Sequence, residues 1–441
     1  MNDSNLWIFK QIKKELEIFK KDKKYFSSSK DFTRSCVFTF QTIFFLLVDL
    51  PRKSLSIEIE NNLAVINKLL VRKTSGTKSG FCKARKKIKP KLFEEIGKKL
   101  VSLYYGKSTT GKIKRWKGFI LKAIDGSILD IVNTPETEAE FGARSNQYGK
   151  TVQGMMMIEY DVLNKIITQS YLGGLNKGEN TIAKDWTKNM QADELYIYDR
   201  LYPGSSLQFL HQSQGTFYVM RCKLSHNKYI KAFVESKENE KIEYWTLTTK
   251  VALELQEKGH EVVKGMKIPV RMLRIELGKG EVEVLITNLI DKETYPYQIF
   301  KGLYFKRWGV ETNIGYLKNV LQIEISSGRR VESIYQDFYA TIFRANVQAI
   351  IEQDCEEQVN EINKGRKYNY QINKTVAAGV LKGRLATIFL AKRPKRKYTE
   401  LKEIFVKNIE PVRPNRSFSR KVRQQKVNGK YRLFTNYKKA V

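Results

Sequence analysis

Residues 119–126 read FILKAIDG, a short and mostly apolar run stopped by Asp-Gly. Its length suits a buried strand better than a helix, and Asp-Gly is a common turn sequence. Two more strand-like runs follow, TVQGMMMIEY (151–160) and KIITQSYL (165–172), and Asp161 and Asn164 between them predict a hairpin. A helical stretch covers about 180–190, and ELYIY (194–198) then ends at Asp199. Strand, strand, strand, helix, strand is the order of an α/β domain on a mixed sheet.

Upstream, residues 1–107 read as helical. FTFQTIFFLLVDL (38–50) is the most apolar stretch, too short to span a bilayer, and predicts a buried helix. Ser54 can cap a short helix over SLSIEIENNL, and Thr77 or Ser79 a basic one over TKSGFCKARKKI. Pro90 then opens KLFEEIGKKLVSLYYG, which Gly106 ends. A short helix followed by a basic one suggests a helix-turn-helix, with Lys78, Lys83, Arg85, Lys86 and Lys87 facing DNA. A solvated basic helix would read the same way.

Downstream, residues 214–299 hold four runs with strand signals: TFYVMRC, YIKAFVE, IPVRMLRIEL and EVEVLITNL. These predict a β-rich insertion that splits the α/β core into 108–213 and 300–360. Residues 361–441 form a short helical, basic C-terminal region for DNA binding or dimerisation. Its last part, 392–441, carries 17 Lys and Arg against three Glu.

The charge narrows the function. Eighty Lys and Arg against 46 Asp and Glu leave a net +34, more than solubility needs, and 41% hydrophobic residues are enough to fold. Such a surplus along a folded chain points to a polyanion, of which DNA or RNA is the commonest. A membrane-surface protein would concentrate its charge on one amphipathic helix. The N-terminal segment lacks a signal peptide's apolar core, and the four cysteines are scattered without disulfide or zinc spacing, as in a reducing cytoplasm.

Asp125 and Asp199 share a local setting, each following an apolar run at the expected end of a central strand. In an open α/β sheet those ends line the ligand crevice. Two carboxylates there repel unless a cation lies between them, and Mg²⁺ (or Mn²⁺) in phosphoryl transfer meets that need. An Asp that merely starts a turn would look identical. The third acid comes from LYFKRWGVETNIGYLKNVL (303–321). Read as one helix, Tyr304, Arg307, Glu311 and Lys318 share a ~60° stripe beside an apolar arc of Leu303, Val310, Ile314, Leu317 and Leu321. Asp130 is a possible spare acid and Asp161 a turn residue. His211, His226 and His260 lack ligand spacing.

Tyr304-x2-Arg307-x3-Glu311-x6-Lys318 resembles the Tyr-Arg-Glu-Lys signature of the insertion-sequence-four family of bacterial DDE transposases. AIDGSILDI around the first Asp, YIYDRLYPGSS around the second and QDFYA after the signature agree with it. The resemblance implies an RNase H-like catalytic domain with a β-rich insertion. It also implies Mg²⁺-dependent cut-and-paste transposition at terminal inverted repeats, through hairpin ends, with strand transfer into target DNA. Asp125, Asp199 and Glu311 would hold the metals; Tyr304, Arg307 and Lys318 would hold phosphates; Trp245 in the insertion would be a candidate to stack on an exposed base. Two active sites for two ends imply a homodimer. One departure stands out: the family usually has Gly where this chain has Leu201, and a positive φ there would strain a leucine. A processing nuclease of the same fold, or a DNA-binding protein that has lost catalysis, are the alternative readings.

Overall fold

A computed structural model describes residues 5–413 apart from 35, 72, 107–112, 147–148 and 279–280. Residues 414–441 of the basic tail lie outside the described residues. The strand begun at FILKAIDG does not stop at Asp125, which corrects the expectation. β1 runs from Ile120 to Asp130. On one edge it pairs antiparallel with β3 (Gly149–Asp161) along most of its length. On the other it pairs parallel with β5 (Glu194–Tyr198) only as far as Ala123, opposite Ile197. Only the second pairing ends near the Asp-Gly.

β2 (Ala143–Asn146) pairs with the start of β3, and β4 (Ile166–Gly173) returns from β3 in the expected hairpin, with Lys165 at φ 60° in its turn. β6 (Phe217–Cys222) lies parallel to β5. β9 (Glu281–Thr287), β8 (Lys267–Gly278) and β7 (Glu240–Thr246) follow, each antiparallel to the last. The result is one nine-stranded mixed sheet, ordered β4-β3-β1-β5-β6-β9-β8-β7 with β2 beside β3. The strands of 214–299 therefore extend the central sheet rather than forming their own, and TFYVMRC is the direct parallel neighbour of β5. YIKAFVE is not a strand. It lies in a helix, Lys228–Ser236, which the Asn227 side chain caps by accepting from the Ile230 amide and which buries Ile230 and Phe233. Those two residues sit three apart, a helical spacing that a short apolar run conceals.

The remaining helices, numbered along the chain, are α1 (Leu6–Lys21), α2 (Phe40–Val48), α3 (Leu55–Leu70), α4 (Lys78–Arg85) and α5 (Lys91–Tyr104). Then come α6 (Pro135–Phe141), α7 (Glu179–Trp186), α8 (Ser205–Ser213), α9 as given for 228–236, and α10 (Thr249–Glu257). α11 (Ile299–Phe305), α12 (Trp308–Asn319) and α13 (Val331–Gln353) complete the core. α14 (Glu356–Asn363), a two-stranded ribbon of Tyr370–Ile372 and Ile409–Pro411, α15 (Lys374–Leu381), α16 (Leu385–Leu390) and α17 (Pro394–Lys407) follow. Every residue of α2 except Gln41 is buried. No helix among the described residues is long and apolar enough to cross a membrane.

The N-terminal helices do not close a core by themselves. Phe9 of α1 packs on Phe389 of α16 and Tyr398 of α17 at ring distances of 5.7 and 5.8 Å, and Phe44 of α2 meets both Phe93 of α5 and Phe343 of α13. The part of the C-terminal region over 374–407 is thus built into the N-terminal core.

α4 follows Thr77, whose hydroxyl accepts from the Gly80 amide as the capping reading expected. Lys78, Lys83 and Lys86 are exposed, while Lys87 is half-buried near Asp31. Arg85 is different. It is buried, and its guanidinium reaches Gln336 Oε1, Ser327 Oγ, the Ser333 carbonyl and Asp337 Oδ1, the last at 2.8 Å. The expectation that Arg85 faces DNA is corrected: its guanidinium joins α4 to α13 and to Ser327 just before it. Arg85→Ala should therefore destabilise the fold by about 3–5 kcal/mol, the usual cost of stranding one member of a buried pair. Lys83→Ala should stay within about 0.5 kcal/mol. Urea denaturation of the two variants checks both values.

Candidate active site

The register of β1 and β5 builds the site. Ala123 faces Ile197, and each strand carries its acid two residues further on, Asp125 and Asp199. Beyond Tyr198 the chain turns. The Leu201 amide donates to Asp199 Oδ1 at 2.7 Å, an Asx-type turn that needs no positive φ. Leu201 is absent from the residues with positive φ and is 53% exposed, so the strain expected of a leucine there does not arise.

The signature segment is not one helix. α11 ends at Phe305 and α12 starts at Trp308, with tight i to i+3 bonds at Lys306 and Arg307 between them. The apolar arc is buried as expected: Val310, Ile314, Leu317 and Leu321 pack with Ala123, Ile158 and Tyr160, seating α12 on β1 and β3. The polar stripe is split. Arg307 is buried, ion-paired to Glu311 at 2.7 Å, and lies over the rings of Tyr304 and Trp308. The Tyr304 hydroxyl is buried without a hydrogen-bond partner, and desolvation pushes it up to about 12. Lys318 stands apart, donating to the Ile128 carbonyl at 2.6 Å with Glu324 at 3.3 Å. As the chain stands, its ammonium is occupied by β1 and Glu324 rather than free beside Glu311.

The electrostatics tie the acids together. Burial raises the Asp125 carboxyl to about 7; a bond from the Gly126 amide opposes that, and the charges of Asp199, Glu311 and Glu179 add to it. Glu179, the first residue of α7, is the acid that sequence reading missed. Its own affinity for a proton is raised, by burial first and then by Asp199, against a hydrogen bond from Tyr202. The only signal in the sequence was an acid opening a helix after a strand, which is ordinary helix chemistry.

A donor set of carboxylate oxygens suits a hard divalent cation, and at Asp125 the charges of Asp199, Glu311 and Glu179 add to a rise caused first by burial. Among the described residues, no three His, Cys, Asp or Glu side chains are already gathered to hold a metal ion. The pairing of Glu311 with Arg307 is one reason. The other candidates have structural partners. Asp130 accepts from Gln153, Asp161 is buried and bonded to Asn164 and Tyr105, and His211 lies between Tyr198 and Thr216. Trp245 is 1% exposed with one face covered by Tyr229 at 5.4 Å, so it is not presented to a base. Phe305 at 71% and Trp308 at 48% are exposed rings on either side of the signature turn.

With this geometry in view, the kinship is direct. A family described as "Transposase DDE domain" matches residues 116–346, more than half of the chain and all of β1 to α12. The chain belongs to this family of DDE transposases. It is similar to the transposase InsG for insertion sequence element IS4 of Escherichia coli strain K12, 21% identical over 240 residues. That match spans about half of each chain, 53% of this one and 52% of InsG. Among solved structures it aligns with a cryo-electron microscopy structure of the piggyBac transposase synaptic complex with hairpin DNA. The alignment covers 92% of this chain and 83% of that one, with 11% identity and a TM-score of 0.42, a likeness too loose to fix the fold.

The carboxyl of Asp125 titrates higher in the folded chain than the ordinary value of 3.8. Between 3.8 and about 7 the folded state then binds more protons than the unfolded one at this site, so the contribution of Asp125 to stability falls as pH rises through that window. In EDTA, the urea midpoint of the wild type should drop across it more steeply than that of Asp125→Asn. Parallel pH profiles would mean that Asp125 is not under this charge pressure.

Proposed function

We propose that Asp125, Asp199 and Glu311 are the metal ligands of an RNase H-like catalytic core that cuts and rejoins DNA at the ends of an insertion sequence. The β1–β5 register carries this reading, since it brings two acids side by side where the parallel pairing stops. The order of strands supports it too: β4-β3-β1-β5-β6 sets three antiparallel strands beside two that run parallel to β1, a mixed α/β sheet that an RNase H-like core would fit. Two divalent cations held there, Mg²⁺ or Mn²⁺, would activate the attacking oxygen and stabilise the leaving one.

The chain's own groups would do the rest. Arg307 can exchange Glu311 for a phosphate, which would free Glu311 for the cation, and the unpartnered Tyr304 hydroxyl can donate to the same phosphate. Lys318 can reach a backbone oxygen by leaving Glu324. Phe305 and Trp308 present the aromatic faces that Trp245 does not, suited to a base turned out of the strand if excision passes through hairpin ends. We assign Lys78, Lys83 and Lys86 on α4 to the phosphates of double-stranded DNA, the inverted repeats included. A protomer of net charge +34 repels its twin over a Debye length of ~8 Å, so a homodimer bridging two ends would form on DNA.

Asp125→Asn, Asp199→Asn and Glu311→Gln should each lower end cleavage by roughly 10⁴-fold, the scale for removing a member of a catalytic unit, without weakening end binding. Gel assays of cleavage and of end binding on the same duplex separate the two effects. Near wild-type cleavage in any variant removes that residue from the site. Replacing Lys78, Lys83 and Lys86 together should lower the slope of log K against log salt by about 0.9 for each phosphate that is no longer neutralised.

A further inference from the structure

Three segments meet beside Asp125. The Asp-Gly of β1, the turn after Asp199 and the first residues of α7 touch one another, and Glu179 lies at their junction. A Cβ placed on Gly126 would stand 2.5 Å from both the carboxyl carbon and Oε1 of Glu179. Glycine next to Asp125 is thus what admits the carboxylate. Tyr202, a fully buried ring three residues past Asp199, donates to Glu179 Oε2 at 3.0 Å. The next residue of α7, Asn180, donates to the Leu201 carbonyl at 2.8 Å, fixing the helix start to the turn that carries Asp199.

An acid in the first turn of a helix is stabilised by the helix dipole, and that alone would justify a glutamate here. It would not require seating that glutamate against Gly126, next to Asp125, and on the tyrosine of the turn that follows Asp199. Helix starts elsewhere in the chain point their acids to solvent or to cations, as Glu94 of α5 does toward Lys91 and Lys98. Glu179 instead has a tyrosine and a glycine holding it among like charges, a costly arrangement without a cation. A second unsatisfied group belongs to the same candidate site: the partnerless, buried hydroxyl of Tyr304, whose ring lies under the Arg307 guanidinium that pairs with Glu311.

We propose that Glu179 is a fourth carboxylate of the catalytic centre, aimed by Tyr202 and admitted by Gly126, which joins Asp125 and Asp199 in holding the divalent cation or its bound water. The proposal rests on the reading of those two acids as cation ligands. Glu179→Gln keeps an oxygen for Tyr202 and removes the charge.

The test is Mn²⁺ titration of the full chain by calorimetry, with thermal melting in EDTA and in Mn²⁺, and Asp125→Asn measured alongside. The expected result is a Mn²⁺ affinity reduced by about 10–100-fold in Glu179→Gln. Its melting temperature in EDTA should be unchanged or raised, and its Mn²⁺-induced rise smaller than in the wild type. Wild-type Mn²⁺ binding with a lowered melting temperature in EDTA would overturn the proposal and leave Glu179 a helix-start residue. If Asp125→Asn also binds Mn²⁺ like the wild type, the broader reading of the site fails, not the assignment of Glu179 alone. Should Glu179→Gln not fold, Gly126→Ala decides, because it keeps every carboxylate and crowds only Glu179. Weaker Mn²⁺ binding in that variant supports the proposal, and unchanged binding overturns it.

Discussion

Parallel pairing of β1 with β5 is the constraint from which the site follows. Strands in a parallel ladder advance together, so fixing Ala123 against Ile197 fixes where every later residue of both chains emerges. β1 continues past that point because β3 still pairs with it, whereas β5 turns away. Asp125 therefore sits on a strand braced from one side only, and Asp199 on a turn closed by its own side chain. One acid is rigid and the other is carried by a short loop. That combination lets two carboxylates share a space without being forced together when no cation is present.

Around this register the helices divide the work. α12 brings Glu311 to the sheet through an apolar seam, and α13 carries polar residues inward along its length. Arg344 of α13 pairs with Asp49 at 3.1 Å, Asn346 exchanges hydrogen bonds with both backbone groups of Ile167, and Asp337 receives Arg85. Buried polar pairs of this kind add little net stability beside an apolar alternative, but they are intolerant of misplacement. Through them α4, the sheet and the signature helices are held in one geometry, so a duplex lying on α4 would have a defined relation to the acids.

Much of this was legible in the sequence, for physical reasons that differ by residue. FILKAI and ELYIY announced central strands because a strand covered on both faces is mostly apolar, and the charges they do bury, Lys122 and Glu194, pair with each other. The buried arc of α12 showed in its spacing, and the Tyr-Arg-Glu-Lys pattern pointed to the family. Tertiary partners were invisible. Arg85 looked like any cation on a basic helix, since nothing local records that Asp337, some 250 residues away, claims it. YIKAFVE is as β-prone as a strand, and only the cap at Asn227 separates the two. The break at Lys306 and Arg307 cannot be read from an ideal helical wheel. Glu179 escaped notice because its meaning lies in Gly126 and Tyr202, on two other segments.

The packing of α1 against α16 and α17 has a consequence for the order of synthesis. Leu6, Ile8 and Phe9 leave the ribosome before the sheet, whereas their partners Phe389, Tyr398 and Leu401 follow only after the whole sheet has been made. Until then α1 and α2 are covered on the sides that meet their N-terminal neighbours, α3 and α5 among them. The nascent chain holds the rest of their apolar surface exposed through much of its translation, a condition that invites aggregation or chaperone capture. A basic helix such as α4 would likewise remain unanchored until α13 had emerged. The described fold thus closes only when α13 and the helices after it have been made, so a product truncated before α13 would lack both the anchor of α4 and part of the cover of α2.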